Sequence, residues 1–189
     1  MNEIDLYAGR EQTLVKHLIL RKYIERFAHI IGSHWSSITY VDCFSGPWNV
    51  RSDNLEDSSF SIALEELRKA RGTYHSKGRK ISLRCFFLEK ERIPYQKLKQ
   101  FADQITDVEV MTRNRELEYA VDDILRFVRK GGSQTFPFIF IDPTGWSGIA
   151  MEVIKPLLSL NPGEALINFI TTHVKRFIES RKRVDARDS

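Results

Sequence analysis

The stretch Phe138 to Trp146 reads FIFIDPTGW. Four apolar residues run unbroken into Asp142-Pro143, and Gly145 and Trp146 come soon after. A short continuous apolar run ended by a turn signal is the pattern of a strand buried on both faces, as in a parallel sheet. Such a strand delivers its next residues to the carboxyl edge of the sheet. Open α/β folds bind ligands at that edge, where strand order reverses. Whether a carboxylate, a rigid turn and a large aromatic meet a ligand there depends on the elements around them.

Upstream, residues 13–31 carry Leu14, Val15, Leu18, Ile19, Ile24, Phe27 and Ile31 at three- and four-residue spacing, an amphipathic helix stopped by Gly32. SITYVDCF (37–44) is β-branched and aromatic and runs into Ser45-Gly46-Pro47, a first strand ending in a tight turn. DSSFSIALEELRKA (57–70) opens on capping residues and reads as a helix, followed by a basic loop, RGTYHSKGRK (71–80). ISLRCFFL (81–88) is a second strand, and a helix introduced by Pro94 covers 95–104. Residues 108–111 form a short third strand, and 116–130 a helix closed by Gly131-Gly132. After the fourth strand, 138–141, come a helix over 149–160 despite Pro156 and a fifth strand, ALINFI (165–170), before a basic tail. This alternation predicts an α/β fold, a mostly parallel sheet with helices on both faces.

At 189 residues and 42% hydrophobic, the chain is sized for one domain over 1–189. Lys plus Arg number 29 against 25 Asp plus Glu, a mildly basic balance that permits an anionic partner such as nucleic acid without requiring one. Cys43 and Cys85 lie inside apolar segments and read as reduced, buried thiols of an intracellular protein. The five histidines show no ligand spacing with either, so no metal site is expected. A polar, acidic start and the lack of any run of about 18 apolar residues argue against a signal peptide or membrane span and favour the cytoplasm. The basic segments RKARGTYHSKGRK and VKRFIESRKR either line a phosphate-binding face or are solvated loop and tail.

Three strand ends carry chemistry. The first gives Asp42 and Ser45-Gly46-Pro47, the second Glu89, and the fourth Asp142, Pro143 and Trp146. A small residue after the first strand lets backbone approach a nucleoside ligand, and an acid after the second accepts hydrogen bonds from ribose hydroxyls. Asp142 admits two roles, N-cap of the next helix or ligand contact. Trp146 either stacks on a ligand or caps the core.

The order YVDCFSGPW, CFFLEKE, PFIFIDPTGW and EALINFI resembles a class I S-adenosylmethionine-dependent methyltransferase. More closely it resembles the three-Cys-motif partner protein family, TcmP, whose opening helix and fifth-strand region are similar to TLVKHLILRKYIERF and INFITTHVKRF. The resemblance spans residues 13–178 and implies a Rossmann-like fold. It implies that Asp42, Ser45, Gly46 and Pro47 line the methionine part of S-adenosylmethionine, that Glu89 holds the ribose, that Asn114 neighbours the adenine and that Lys16 reaches the cofactor carboxylate. Asp142, Pro143 and Trp146 then stand in the place of the Asp-Pro-Pro-aromatic motif of amino-methyltransferases, where the acid and a backbone carbonyl accept from the target amine.

The sequence departs from the family pattern at several positions: Trp48 replaces a glycine usual after the first-strand turn, Thr144 replaces the second proline, Trp146 falls one residue late, and Ser58-Ser59-Phe60 replaces a Gly-Ser-Pro-like helix start. Only one helix's length of chain comes after the fifth strand, so the sheet is expected to lack its last strands, through truncation or by borrowing them from a partner. The expected function is methyl transfer to an amine, on nucleic acid rather than a small molecule. The competing reading is a binding scaffold for a three-Cys-motif protein. A nicotinamide-dependent enzyme is disfavoured because no GxGxxG succeeds the first strand.

Overall fold

The computed structural model describes residues 7–46, 50–52, 54–143 and 150–168. Pro47, Trp48, Thr144, Trp146 and the tail segment VKRFIESRKR therefore lie outside the described residues. Helices and strands alternate as α1 (Glu11–Gly32), β1 (Ser37–Asp42), α2 (Ser59–His75), β2 (Ser82–Leu88), α3 (Arg92–Asp103), β3 (Glu109–Arg113), α4 (Leu117–Lys130), β4 (Thr135–Ile141), α5 (Met151–Leu158) and β5 (Glu164–Ile167). The strands form one sheet in the order β3-β2-β1-β4-β5. Every neighbouring pair is parallel. This is the Rossmann-like order, with the direction of winding reversing between β1 and β4.

The sheet separates two apolar layers. On one face Leu20, Ile24, Phe27 and Ala28 of α1 and Phe60, Ala63, Leu64 and Leu67 of α2 pack on Ile38, Tyr40, Cys85, Phe87, Phe138 and Phe140. On the other, Ala120, Ile124, Phe127 and Val128 of α4 and Ile154 and Leu157 of α5 pack on Val41, Phe86, Leu88, Ile139 and Ile141. Alternate strand residues point to opposite faces, so a strand covered on both sides must be apolar throughout. Phe138 to Ile141 obey this, each at most 5% exposed. Both cysteines are buried and unpaired.

β4 begins three residues before the apolar run and contains Pro137. A proline is tolerated in a strand only where its nitrogen has no pairing duty. Ser37 N–H donates to the Gln134 carbonyl and Cys43 N–H to that of Phe140, so the even-numbered backbone groups of β4 face β1. The Pro137 nitrogen therefore faces the β5 side, where pairing starts only at Phe138 with Glu164. α2 runs five residues beyond the expected end and absorbs the first half of the basic loop, because Tyr74 is anchored by donating to the His29 carbonyl. Pro94 sits in the first turn of α3, where its missing N–H has no helical partner to lose. Gly32 does not precede a turn so much as permit a close approach: a Cβ there would come within 2.7 Å of the Tyr74 ring and 2.8 Å of Ile81.

α1 lies across β4. Its Phe27 ring meets Phe138 at 4.7 Å and Phe136 at 5.7 Å between centroids, and Trp35 beyond its end meets Phe136. The helix thus runs against the strand, and its first turns stand at the carboxyl edge of the sheet. No described helix is long and apolar enough to cross a membrane.

Candidate functional site

At the carboxyl ends of β1 and β4, where the strand order reverses, Asp142 pairs with Lys16, and Asp42 lies near enough for the Asp142 charge to act on it. Asp42, the last residue of β1, is fully buried. Its Oδ1 accepts the Phe44 N–H at 3.0 Å and its Oδ2 the Ser59 hydroxyl at 2.6 Å, with the Tyr40 hydroxyl at 3.4 Å. Burial pushes its pKa up from 3.8 to about 6, in the same direction as the charge of Asp142, while the Ser59 and Phe44 donors hold it down. Asp142, one residue past β4, accepts Lys16 Nζ at 2.9 Å and Asn168 Nδ2 at 2.8 Å, both on Oδ1. Lys16 reaches it from the second turn of α1, and the two side chains are 33% and 20% exposed.

α5 starts at Met151, with Ala150 at its N-cap and no side-chain bond there. Asp142 therefore does not cap α5.

The turn after β1 is knitted to β2. The buried Ser45 donates its N–H to the Leu88 carbonyl at 2.8 Å and its hydroxyl to the Asp42 carbonyl at 2.9 Å, and accepts the Leu88 N–H on Oγ at 3.2 Å. Ser45 therefore fixes the turn, leaving Gly46 as the next residue at the crevice. Glu89, first off β2, is 4% exposed and accepts the Glu91 N–H on Oε1 at 2.6 Å. Asn114, first off β3, donates both amide hydrogens at 2.9 Å to the carbonyls of Glu89 and Lys90. Asn114 thus clamps the second and third strand ends together. The structure brings Lys16, Asp42 and Asp142 into one group and Glu89 and Asn114 into another, with the Ser45-Gly46 turn between them; Pro143 adjoins Asp142.

Further contacts come from the segment before α1. Arg10 pairs with the buried Asp57 at 2.7 Å, and Asp57 also accepts the Arg51 and Ser52 N–H groups, so this carboxylate organises the loop after β1. The Tyr7 hydroxyl and His17 Nδ1 lie 2.8 Å apart. Burial lowers the His17 pKa from 6.5 to about 4, with Arg10 and Lys16 adding to the effect against Asp142 and Asp57. His17 is accordingly neutral at neutral pH.

Sequence reasoning missed Asn168 and the Arg10–Asp57 pair. Asn168 is the first residue off β5, the kind of position that marks Glu89 and Asp142, but the expected fifth strand, 165–170, enclosed it, so the strand-end rule passed over it. Arg10 and Asp57 are 47 residues apart and carry no shared local pattern. A groove of about 340 Å³ lies elsewhere, between α1 and the start of β5, lined by Tyr23, Arg26, Phe27, Ile30, Ile31 and Glu164. None of the expected site residues reaches it. The arginines of the basic stretch are engaged: Arg68 and Arg71 both clasp Asp107, and Arg79 donates to the Ser33 carbonyl.

No protein-family model matches the sequence, and no curated protein matches it. Among solved structures the chain is similar to a loganic acid methyltransferase with SAH, at a TM-score of 0.39 and 10% sequence identity, over 71% of this chain. The chain spans about a third, 35%, of that protein's length.

Proposed function

We propose that the chain binds S-adenosylmethionine at the β1/β4 reversal point and transfers its methyl group to an amine, with nucleic acid as the favoured carrier of that amine. The observation that carries the reading is the meeting of Asp42, Asp142 and Lys16 at that point, two carboxyls and one ammonium. S-adenosylmethionine brings two positive groups, a sulfonium and an α-ammonium, and one carboxylate. Lys16 is complementary to the carboxylate and Asp42 to a cationic group, which leaves Asp142 for the acceptor amine. The resemblance to class I methyltransferases, and to the TcmP family in particular, supports the same ligand.

In this reading Glu89 accepts from the ribose hydroxyls, and the Ser45-Gly46 turn, held to β2 by two hydrogen bonds and to β1 by a third, admits backbone close to the ligand. Asn114 acts indirectly, keeping the Glu89 backbone in place. When bound, S-adenosylmethionine supplies an electrophilic methyl carbon whose bond to sulfur breaks as the amine lone pair forms the new C–N bond, the electron pair leaving with sulfur. Asp142 accepts a hydrogen bond from the amine N–H, which aims the lone pair, and passes to solvent the proton that the methylated nitrogen releases. Rate enhancement of this kind comes from positioning and charge complementarity and needs no nucleophilic side chain.

Calorimetric titration of the folded protein with S-adenosylhomocysteine, beside NAD as a control, is the test. Micromolar 1:1 binding of the first ligand alone is the expected result. Asp142→Ala then abolishes transfer from labelled S-adenosylmethionine to nucleic-acid acceptors while leaving ligand binding largely intact. Failure of S-adenosylhomocysteine to bind refutes the reading and turns attention to a scaffold partnered with a three-Cys-motif protein.

A further inference from the structure

Oδ1 of Asp142 carries two donors, Lys16 and Asn168, and no bond reaches Oδ2 from the described residues. The donors differ in what holds them. Asn168 is fixed at the end of β5, its own N–H bonded to the Ile141 carbonyl at 2.9 Å. Lys16 is one-third exposed, on a flexible four-carbon stem whose ammonium can turn to another acceptor. Other basic groups beside it are unsuited to meeting an anion. Arg10 is committed to Asp57, whose side chain is 1% exposed, and His17 is uncharged at neutral pH.

We propose an ion-pair exchange at Lys16, resting on the S-adenosylmethionine reading above. Lys16 leaves Asp142 for the α-carboxylate of the incoming ligand, and Asp142, kept in place by Asn168, is uncovered for the acceptor amine. Lys16 then confers specificity for ligands that carry the amino-acid end, and Asn168 is a positioning residue for Asp142. The exchange has a consequence that needs no acceptor to observe: Asp142 competes with the ligand for the ammonium, so neutralising Asp142 tightens ligand binding.

The full chain and the variants Asp142→Asn and Lys16→Met are titrated calorimetrically with two probes. One is S-adenosylhomocysteine; the other is 5′-methylthioadenosine, which keeps the nucleoside and thioether but lacks the amino-acid end. A partly exposed ion pair of this kind corresponds to roughly a two- to five-fold change, so D142N is expected to bind S-adenosylhomocysteine that much more tightly. K16M loses a charged partner and binds it at least about ten-fold more weakly. Affinity for 5′-methylthioadenosine stays level across all three proteins. If D142N leaves S-adenosylhomocysteine affinity unchanged or lowers it, Asp142 does not compete for Lys16 and the exchange is refuted. Equal changes for both probes refute it as well, since they report a rearranged pocket. Failure of S-adenosylhomocysteine to bind the folded wild type is a separate outcome, which removes the ligand assignment and the exchange together. Asp142→Ser and Lys16→Gln replace any variant whose thermal melt shows it unfolded.

Discussion

Asp42→Asn is expected to stabilise the protein at neutral pH, although it removes an acid from the centre of the candidate site. In the folded chain the Asp42 carboxyl titrates at about 6 instead of 3.8, chiefly because burial disfavours its charge. Its proton is therefore held more tightly in the folded state, by about 3 kcal/mol. Linkage sets the sign: with the folded pKa above the unfolded one, the contribution to stability is fully present below pH 3.8 and is lost as pH rises through 6. Above that pH the wild type bears the whole cost of a buried charge. An asparagine bears none of it. Its oxygen still accepts the Phe44 N–H, and the Ser59 hydroxyl can reverse to accept from the amide, so the hydrogen bonds at 3.0 and 2.6 Å have replacements. Urea unfolding at pH 4, 5, 6, 7 and 8 separates this effect from the other carboxyls, which titrate alike in both proteins. The variant's advantage should grow from about 0.5 kcal/mol at pH 4 toward about 3 kcal/mol at pH 8, less whatever the reversed Ser59 bond loses. A difference that is flat with pH, or that favours the wild type above pH 6, refutes the buried-charge argument. If the argument holds, the wild type forgoes stability to keep a carboxylate at this site, as functional sites commonly do.

Glu89→Ala should weaken S-adenosylhomocysteine binding by about 1–3 kcal/mol, read by calorimetry; full retention of affinity removes Glu89 from the ligand site. Gly32→Ala forces a methyl group against the Tyr74 ring and Ile81 and should cost about 1–3 kcal/mol in urea unfolding, with Tyr74→Ala in the same chain relieving part of the clash. Arg84 is 5% exposed, paired with Glu109 at 2.7 Å, bonded to the Phe127 carbonyl at 2.8 Å and stacked 4.1 Å from the Phe127 ring centre. Arg84→Ala should therefore lower stability by about 2–4 kcal/mol, whereas Arg84→Met, which keeps the packed stem, should cost less; equal losses would put the whole effect in the charge.

The sheet could be read from sequence because a strand buried on both faces leaves an apolar run with no helical period, and FIFI and CFFL are such runs. Boundaries were less accessible where another part of the fold sets them. Thr135 to Pro137 join β4 by pairing with β1, which Pro137 tolerates because β5 starts late on its other side, and α2 extends to His75 because Tyr74 is tied to α1. The positions of Asp42 at the end of β1 and of Glu89 and Asp142 just past β2 and β4 were legible, because a polar residue closing a buried apolar run marks the carboxyl edge of the sheet. Asn168 escaped this rule because the expected fifth strand, 165–170, ran past the residue. The grouping of those residues was not legible. Lys16 and Asp142 are 126 residues apart, and only the folded topology puts α1 across β4. Asn114 donates to the Glu89 and Lys90 carbonyls, a use of both amide hydrogens that only a three-dimensional accounting of donors reveals.

The lie of α1 across β4 also bears on the order in which the chain is made. The ribosome releases α1 first, yet Phe27 finds Phe138, Lys16 finds Asp142 and Tyr23 finds Glu164 only after more than a hundred further residues have emerged. Until then the helix can shelter its apolar stripe only in part, against α2 and β1. Contacts so remote in sequence slow folding and lengthen the time that apolar surface stays uncovered. During synthesis, α1 is the segment that would engage a chaperone holding nascent chains, and a pause in translation before β4 would prolong that engagement.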